Sequence, residues 1–127
     1  MPTNKFSNVT ISCVVPIFNE AENIADFLSV LQAKLAAITN KYEIITVDDG
    51  SQDQSVSIIE SLLPTGHLRL VKLSRNFGKE AALTAGIEAT NGSDVVILID
   101  ADFHLFPQLY KIRDFYASLL ATLTNVY

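Results

Sequence analysis

Asp100 and Asp102 stand at the end of the run Val-Val-Ile-Leu-Ile, residues 95 to 99. A continuous apolar, largely β-branched run reads as a strand buried on both faces, as in a parallel sheet. The two carboxylates then sit where that strand leaves the sheet, the side on which open α/β sheets bind ligands. In extended chain, residues two apart point the same way, which places these carboxylates about 7 Å from each other. Two like charges facing one space repel, and a divalent cation between them relieves the repulsion. Magnesium commonly takes one or two carboxylates and completes its shell with water and substrate phosphates. Asp100 and Asp102 are therefore a candidate metal–phosphate site. Asp also favours turns and helix caps, so Asp-Ala-Asp alone leaves a plain turn open as well.

Three other segments collect polar residues after apolar runs: Pro16–Glu20, Asp48–Ser51 and Ser74–Lys79. Together with Asp100–His104 they offer Glu20, Asp48, Asp49, Asp100 and Asp102 as acids and Arg75 and Lys79 as cations. The Asn76–Lys79 corner opens a helix, where backbone N–H groups and the helix dipole favour anions. Arg75, Asn76, Gly78 and Lys79 are accordingly the phosphate-facing candidates. Plainer roles compete. Asn19, Asp53 and Asn76 are each able to cap a helix, Arg75 and Lys79 suit a solvated surface, and Glu20 suits a helix dipole. His67 lies in a Gly-His turn and reads as exposed. His104, two residues past Asp102, is either a ligand or a loop histidine.

These residues need strands and helices to bring them together. Val9–Val15 reads as a strand closed by Pro16. Asn19 and Glu22 fit a capping box, followed by apolar positions at helical spacing, so a helix is expected over residues 20 to 39. Glu43–Val47 is a second strand, and a helix capped by Ser51 or Asp53 runs to the Pro64 and Gly66 stop. Leu68–Leu73 is a third strand, an Ala-rich helix covers residues 78 to 90, and Val95 begins the fourth strand. Residues from Pro107 onward, with Leu109, Ile112, Tyr116, Leu119 and Leu123 on one face, read as a further helix whose apolar side needs a partner. Strict β-α alternation with short connections predicts an α/β fold, a Rossmann-like, mostly parallel sheet with helices on both faces.

The 127 residues suit one domain, with residues 1–8 a loose start and 9–127 the folded unit. At 49% hydrophobic and 18% charged the chain is globular in type. A net charge of −5 with no basic run argues against a nucleic-acid surface. Cys13 is the one cysteine, so no intrachain disulfide forms. No signal-peptide pattern opens the chain, and no apolar stretch reaches the roughly 18–20 residues of a membrane span. A cytoplasmic setting is expected.

Taken together, the four segments resemble family 2 glycosyltransferases. Val-Val-Pro-Ile-Phe-Asn-Glu, residues 14 to 20, is similar to the opening Pro-x-Tyr-Asn-Glu of that family. Val-Asp-Asp-Gly-Ser-Gln-Asp, 47 to 53, resembles its second motif. Ser-Arg-Asn-Phe-Gly-Lys-Glu-Ala-Ala-Leu-Thr-Ala-Gly, 74 to 86, resembles the subgroup acting on polyprenyl phosphates, which includes bactoprenol glucosyltransferases and dolichol-phosphate mannose synthases. Asp-Ala-Asp, 100 to 102, matches the metal motif. The resemblance implies the nucleotide-binding half of the A-type glycosyltransferase fold. It implies that Pro16, Phe18, Glu20, Val47 and Asp49 hold base and ribose. It implies that Asp100, Ala101 and Asp102 meet the diphosphate through Mg²⁺ or Mn²⁺. The donor would be a UDP-sugar, with glucose the expected sugar, and the acceptor a polyprenyl phosphate.

Two departures stand out. Phe18 replaces the usual Tyr, losing a hydroxyl but keeping a ring. His104 occupies the place of a Gln able to help hold the metal, which makes it a third metal candidate. No residue here is a convincing general base, and the family's acceptor half lies beyond residue 127, so this looks like an amino-terminal portion. Two other readings follow from the residues alone. One is a non-catalytic binding or assembly module that self-associates through the 109–127 helix. The other is a metal-dependent phosphohydrolase using Asp100 and Asp102.

Overall fold

A computed structural model of the chain describes residues 8–101. Asp102, His104 and the expected helix from Pro107 onward lie outside the described residues, as does the start of the chain. The strands are β1 (Thr10–Ile17), β2 (Lys41–Asp48), β3 (Leu68–Lys72) and β4 (Val95–Leu98). The helices are α1 (Ile24–Ile38), α2 (Ser55–Leu62) and α3 (Lys79–Glu88), with a short 3-10 turn at Leu63–Thr65 after α2. The sheet runs β3-β2-β1-β4 and every pairing is parallel.

Period-two alternation divides the strand side chains between two cores. Ile11, Cys13, Val15 and Ile17 of β1 face α1 and α2, joined by Ile44, Ile97 and Ile99 and by Phe27, Leu28, Leu31 and Leu35 of α1. Val14, Ile45, Val47 and Leu98 point the other way, onto Ala82 and Leu83 of α3. Helices therefore cover both faces, as the unbroken apolar runs require. Cys13 is fully buried, and burial pushes its thiol pKa far up, so it behaves as a small inert hydrophobe.

Some boundaries differ from the sequence reading. β1 continues through Pro16, which is paired in register with Val47. Its pairing with β4 ends at Val14, so the missing proline N–H falls where β4 no longer runs alongside. α1 begins at Ile24, not residue 20, and Asn23 precedes it without a side-chain cap bond. Asn19 adopts a left-handed φ of 53° and takes no part in a capping box.

The amino edge of the sheet is closed by polar contacts. The Ser12 hydroxyl donates to Glu43 at 2.6 Å and meets the Ser93 hydroxyl. Arg69 bonds both Glu43 and the Ala89 carbonyl at 2.9 Å. His67 is exposed, as expected, but it is not loose. Its ring stacks on Tyr42 at 4.2 Å, and Nδ1 lies 2.9 Å from the Tyr42 carbonyl.

α3 sits close against the sheet at Gly86. A Cβ there would collide with Val14 Cγ1 and lie 3.0 Å from Val47 Cγ2, both in the packed core. At an open helix position, replacing Gly by Ala gains up to about 1 kcal/mol. Here overpacking, which typically costs about 1–3 kcal/mol, wins. Gly86→Ala should lower unfolding free energy by about 1–2 kcal/mol in a urea titration, whereas a gain would show that α3 does not pack this closely.

Candidate donor-binding site

The carboxyl edge of the sheet is built by loops that bond each other. The loop after β1 is laced to the loop after β2. The Ser51 hydroxyl accepts from the Asn19 N–H at 2.9 Å, and Asn19 Oδ1 accepts from the Gln52 N–H at 2.8 Å. The Ser55 hydroxyl accepts from the Glu20 N–H at 2.8 Å, and Asp53 Oδ2 accepts from the Ala21 N–H at 3.1 Å. Asp53 Oδ1 also takes the Ser55 N–H and hydroxyl, so Asp53 does serve the start of α2 while reaching across to the first loop. These bonds, first that from the Ser55 hydroxyl, hold its carboxyl below the ordinary range. Asn19, by contrast, is an inter-loop tie rather than a cap. A left-handed Asn is sterically tolerable, which is the one sequence-level hint of that role.

The adjacent aspartates of the second motif part company. Asp48, the last residue of β2, turns its Oδ2 to the N–H groups of Gly50 and Ser51, at 3.2 and 3.0 Å. Its Oδ1 is buried and has no hydrogen-bond partner among the described residues. Asp49 points to the α3 side. It is only 4% exposed, and its carboxylate accepts from the N–H of Phe77 at 2.8 Å, the N–H of Gly78 at 3.0 Å and Asn76 Nδ2 at 3.2 Å. This corrects the expectation that the Asn76–Lys79 corner offers open backbone N–H groups to a phosphate. The N–H groups of Phe77 and Gly78 are directed at Asp49 instead. Gly50 makes the approach possible. At φ +80° a Cβ there would lie 2.5 Å from Asn76 N and 2.7 Å from the Arg75 carbonyl carbon.

Above these loops lies a cleft of about 210 Å³ lined by Pro16, Ile17, Phe18, Glu20, Asp49, Asn76, Gly78, Lys79 and Asp100. Eight of these residues are ones the sequence singles out, while Ile17 is an addition. Phe18 is 46% exposed and presents a ring. The Lys79 ammonium pairs with Asp100 at 2.9 Å, and both residues line the cleft. Three candidates fall elsewhere. Val47 is wholly buried between sheet and α3, because its parity points it into that core. Ala101 is buried against the α1 side. Arg75 lies over the Phe77 ring at 4.2 Å and lines a neighbouring depression with Phe18 and Asp48, not the cleft itself. Of the metal candidates only Asp100 is described. No group of three His, Cys, Asp or Glu side chains gathers to hold a metal among the described residues.

The model for "Glycosyl transferase family 2" matches residues 12–121. The chain belongs to glycosyltransferase family 2. Over 102 residues it is 40% identical to an uncharacterized glycosyltransferase of Synechocystis, a match covering 80% of this chain and 32% of that protein. Over 100 residues it is 38% identical to undecaprenyl-phosphate 4-deoxy-4-formamido-L-arabinose transferase of Photorhabdus laumondii, covering 77% of this chain and 30% of that one. The chain thus spans about a third of the length of these relatives.

Two solved structures place the fold. The mannosyltransferase PcManGT of Pyrobaculum calidifontis, in complex with GDP-Man and Mn²⁺, aligns with a TM-score of 0.71 at 24% identity, over 100% of this chain and 35% of that one. S. aureus TarS 1–349 in complex with UDP aligns with a TM-score of 0.65 at 26% identity, over 73% and 27%. The α/β architecture of this family 2 chain is that of A-type glycosyltransferases. No helix among the described residues is long and apolar enough to cross a membrane.

Asp49→Ala should free the Phe77 and Gly78 amides together, at a cost of about 1–3 kcal/mol for unpaired donors. Amide hydrogen exchange at these two positions should speed up while the β1 amides keep their protection relative to global stability. Unchanged exchange at Phe77 and Gly78 would mean that Asp49 does not hold the loop.

Proposed function

We propose that this chain is the donor-binding portion of an inverting glycosyltransferase that moves a sugar, glucose in the first instance, from a UDP-sugar to a polyprenyl phosphate. The observation that carries this reading is the convergence of Phe18, Glu20, Asp49, Lys79 and Asp100 on one cleft at the carboxyl edge of a parallel sheet. The relatives named for undecaprenyl-phosphate sugar transfer support the acceptor class, and the UDP bound to TarS supports the base.

Each residue has a physical task in this scheme. The Phe18 ring offers an apolar face for a base to stack on. Asp49 takes three hydrogen bonds from the 76–78 segment, and a carboxylate has about four acceptor positions, so one remains for a base N–H. Pro16 and Val47 fix the floor from strand and core. Glu20 flanks the ribose, and Ala101 follows Asp100 at the strand's exit. Lys79 and, from the neighbouring depression, Arg75 face the diphosphate, with Asn76 and Gly78 lining the same cleft as Lys79.

The donor set suits a hard cation. Asp100 supplies carboxylate oxygen in the cleft, Asp102 supplies a second by sequence, and His104 offers a nitrogen that favours Mn²⁺ over Mg²⁺. Magnesium or manganese needs no all-protein cage when a diphosphate completes its shell. Once bound, such an ion offsets the charge of the departing diphosphate. The acceptor phosphate oxygen forms the new bond to the anomeric carbon as the bond to the UDP oxygen breaks. That nucleophile is already an anion, so positioning counts for more than a base. The reaction belongs on the cytoplasmic side of a membrane, with the polyprenyl acceptor site outside these residues.

Calorimetry with UDP and Mn²⁺ tests the reading. Saturable binding is expected, weakened about tenfold or more by Asp100→Asn, in line with the loss of a charged ligand. Absence of UDP binding, or binding that ignores this substitution, would remove the donor site.

A further inference from the structure

We propose that Lys79 is a displaceable counter-cation for Asp100: it neutralises the carboxylate until a divalent ion takes its place, and its ammonium then turns to the donor's diphosphate. The inference rests on the donor-site reading above and adds a role for one residue within it. Lys79 is the first residue of α3 and Asp100 the first residue past Ile99. The ammonium meets both carboxylate oxygens of Asp100, Oδ1 at 2.9 Å and Oδ2 at 3.2 Å. These are the oxygens a metal would use. An ammonium and a divalent ion on the same two atoms would stand a few ångströms apart as like charges, so each weakens the other's hold on Asp100.

The pair is suited to exchange. Its side chains are 55% and 24% exposed, and exposed pairs of this kind are weak. Lys carries a single charge on a flexible four-carbon stem, so it can leave one partner and reach another without moving the helix. Asp49 holds the preceding Gly78 in place, so the stem pivots from a fixed point. Gly78, Lys79 and Asp100 line the same cleft, so the displaced ammonium remains where a diphosphate would lie. Metal and diphosphate then help each other: the metal releases the lysine, and the diphosphate gives it a new partner. This coupling is reciprocal.

The test is titration of the chain with Mn²⁺ alone, followed by electron paramagnetic resonance of the free ion, in wild type, Lys79→Met, Lys79→Arg and Asp100→Asn. Removal of an exposed ion pair predicts Mn²⁺ affinity about two- to fivefold tighter in Lys79→Met. Lys79→Arg should stay near wild type, and the gain should vanish in Lys79→Met/Asp100→Asn. UDP affinity in the presence of Mn²⁺ should fall in Lys79→Met. Equal or weaker Mn²⁺ binding in Lys79→Met would overturn the displacement role, and if UDP still bound with Mn²⁺ the donor site itself would stand. A Mn²⁺ gain without any UDP binding in wild type would instead uphold the displacement and remove the donor reading.

Discussion

The cleft depends on one junction, where the end of β2 meets the segment leading from β3 into α3. Asp49 supplies a nearly buried carboxylate and the other segment supplies three donors to it. Gly50 supplies the space, since any Cβ would strike the backbone of Arg75 and Asn76. Without this contact the Gly78 N–H at the head of α3 would lose its partner, and the segment that carries Lys79 toward Asp100 would be held less firmly. The bonds are charge-assisted and share one acceptor group, so they fold the segment as a unit. The Asp-Asp-Gly motif is thus a structural clamp as well as a wall of the cleft.

Parity along the strands explains how neighbouring letters acquire unlike tasks. Val47 and Asp49 share a face of β2, as do Val14 and Pro16 on β1 and Leu98 and Asp100 at β4. On that face the strands begin in the core beneath α3 and end at the cleft. Asp48 has the opposite parity, is equally buried, and spends Oδ2 on the turn that carries Asp49 forward. A one-residue slip of β2 would exchange the two aspartates and bury the wrong one against α3. Register is pinned by the eight-residue pairing of β1 with β2 and by the tight seat of Gly86 on Val14 and Val47.

Much of this was legible in the residue pattern. The unbroken apolar run at 95–99 announces a strand covered on both sides, and the alternation of the strands at 9–15, 43–47 and 68–73 with helices announces a parallel sheet with one polar edge. That reasoning brings Phe18, Glu20, Asp49, Lys79 and Asp100 to the same place without any coordinates. It fails where a local rule has a non-local competitor. Asn19 followed by Glu22 reads as a capping box, but the acceptor on Asn19 goes to Gln52, 33 residues away. The amides of Phe77 and Gly78 read as an anion cradle, but a carboxylate of the protein itself occupies them. Motif membership assigns Val47 to the cleft, whereas its parity alone sends it to the core. Pairings between loops leave no periodic trace, so only the folded chain reveals them.

Magnitudes separate the rigid side of the cleft from the adjustable one. Asp49 has three bonds of 2.8, 3.0 and 3.2 Å in a nearly buried setting, and the lacing of the first two loops adds four bonds between segments about thirty residues apart. Net values near 1 kcal/mol per bond, higher where a charge takes part, make these a scaffold that one ligand does not rearrange. The Lys79–Asp100 pair is different in kind, since it is partly solvated, joins two side chains rather than backbone, and falls in the range of about 0–1 kcal/mol. Under the proposed function the site would accept a dication and a polyanion together, and such a division would suit it. Fixed loops hold the geometry, while a weak internal pair would keep Asp100 neutralised at little cost to binding.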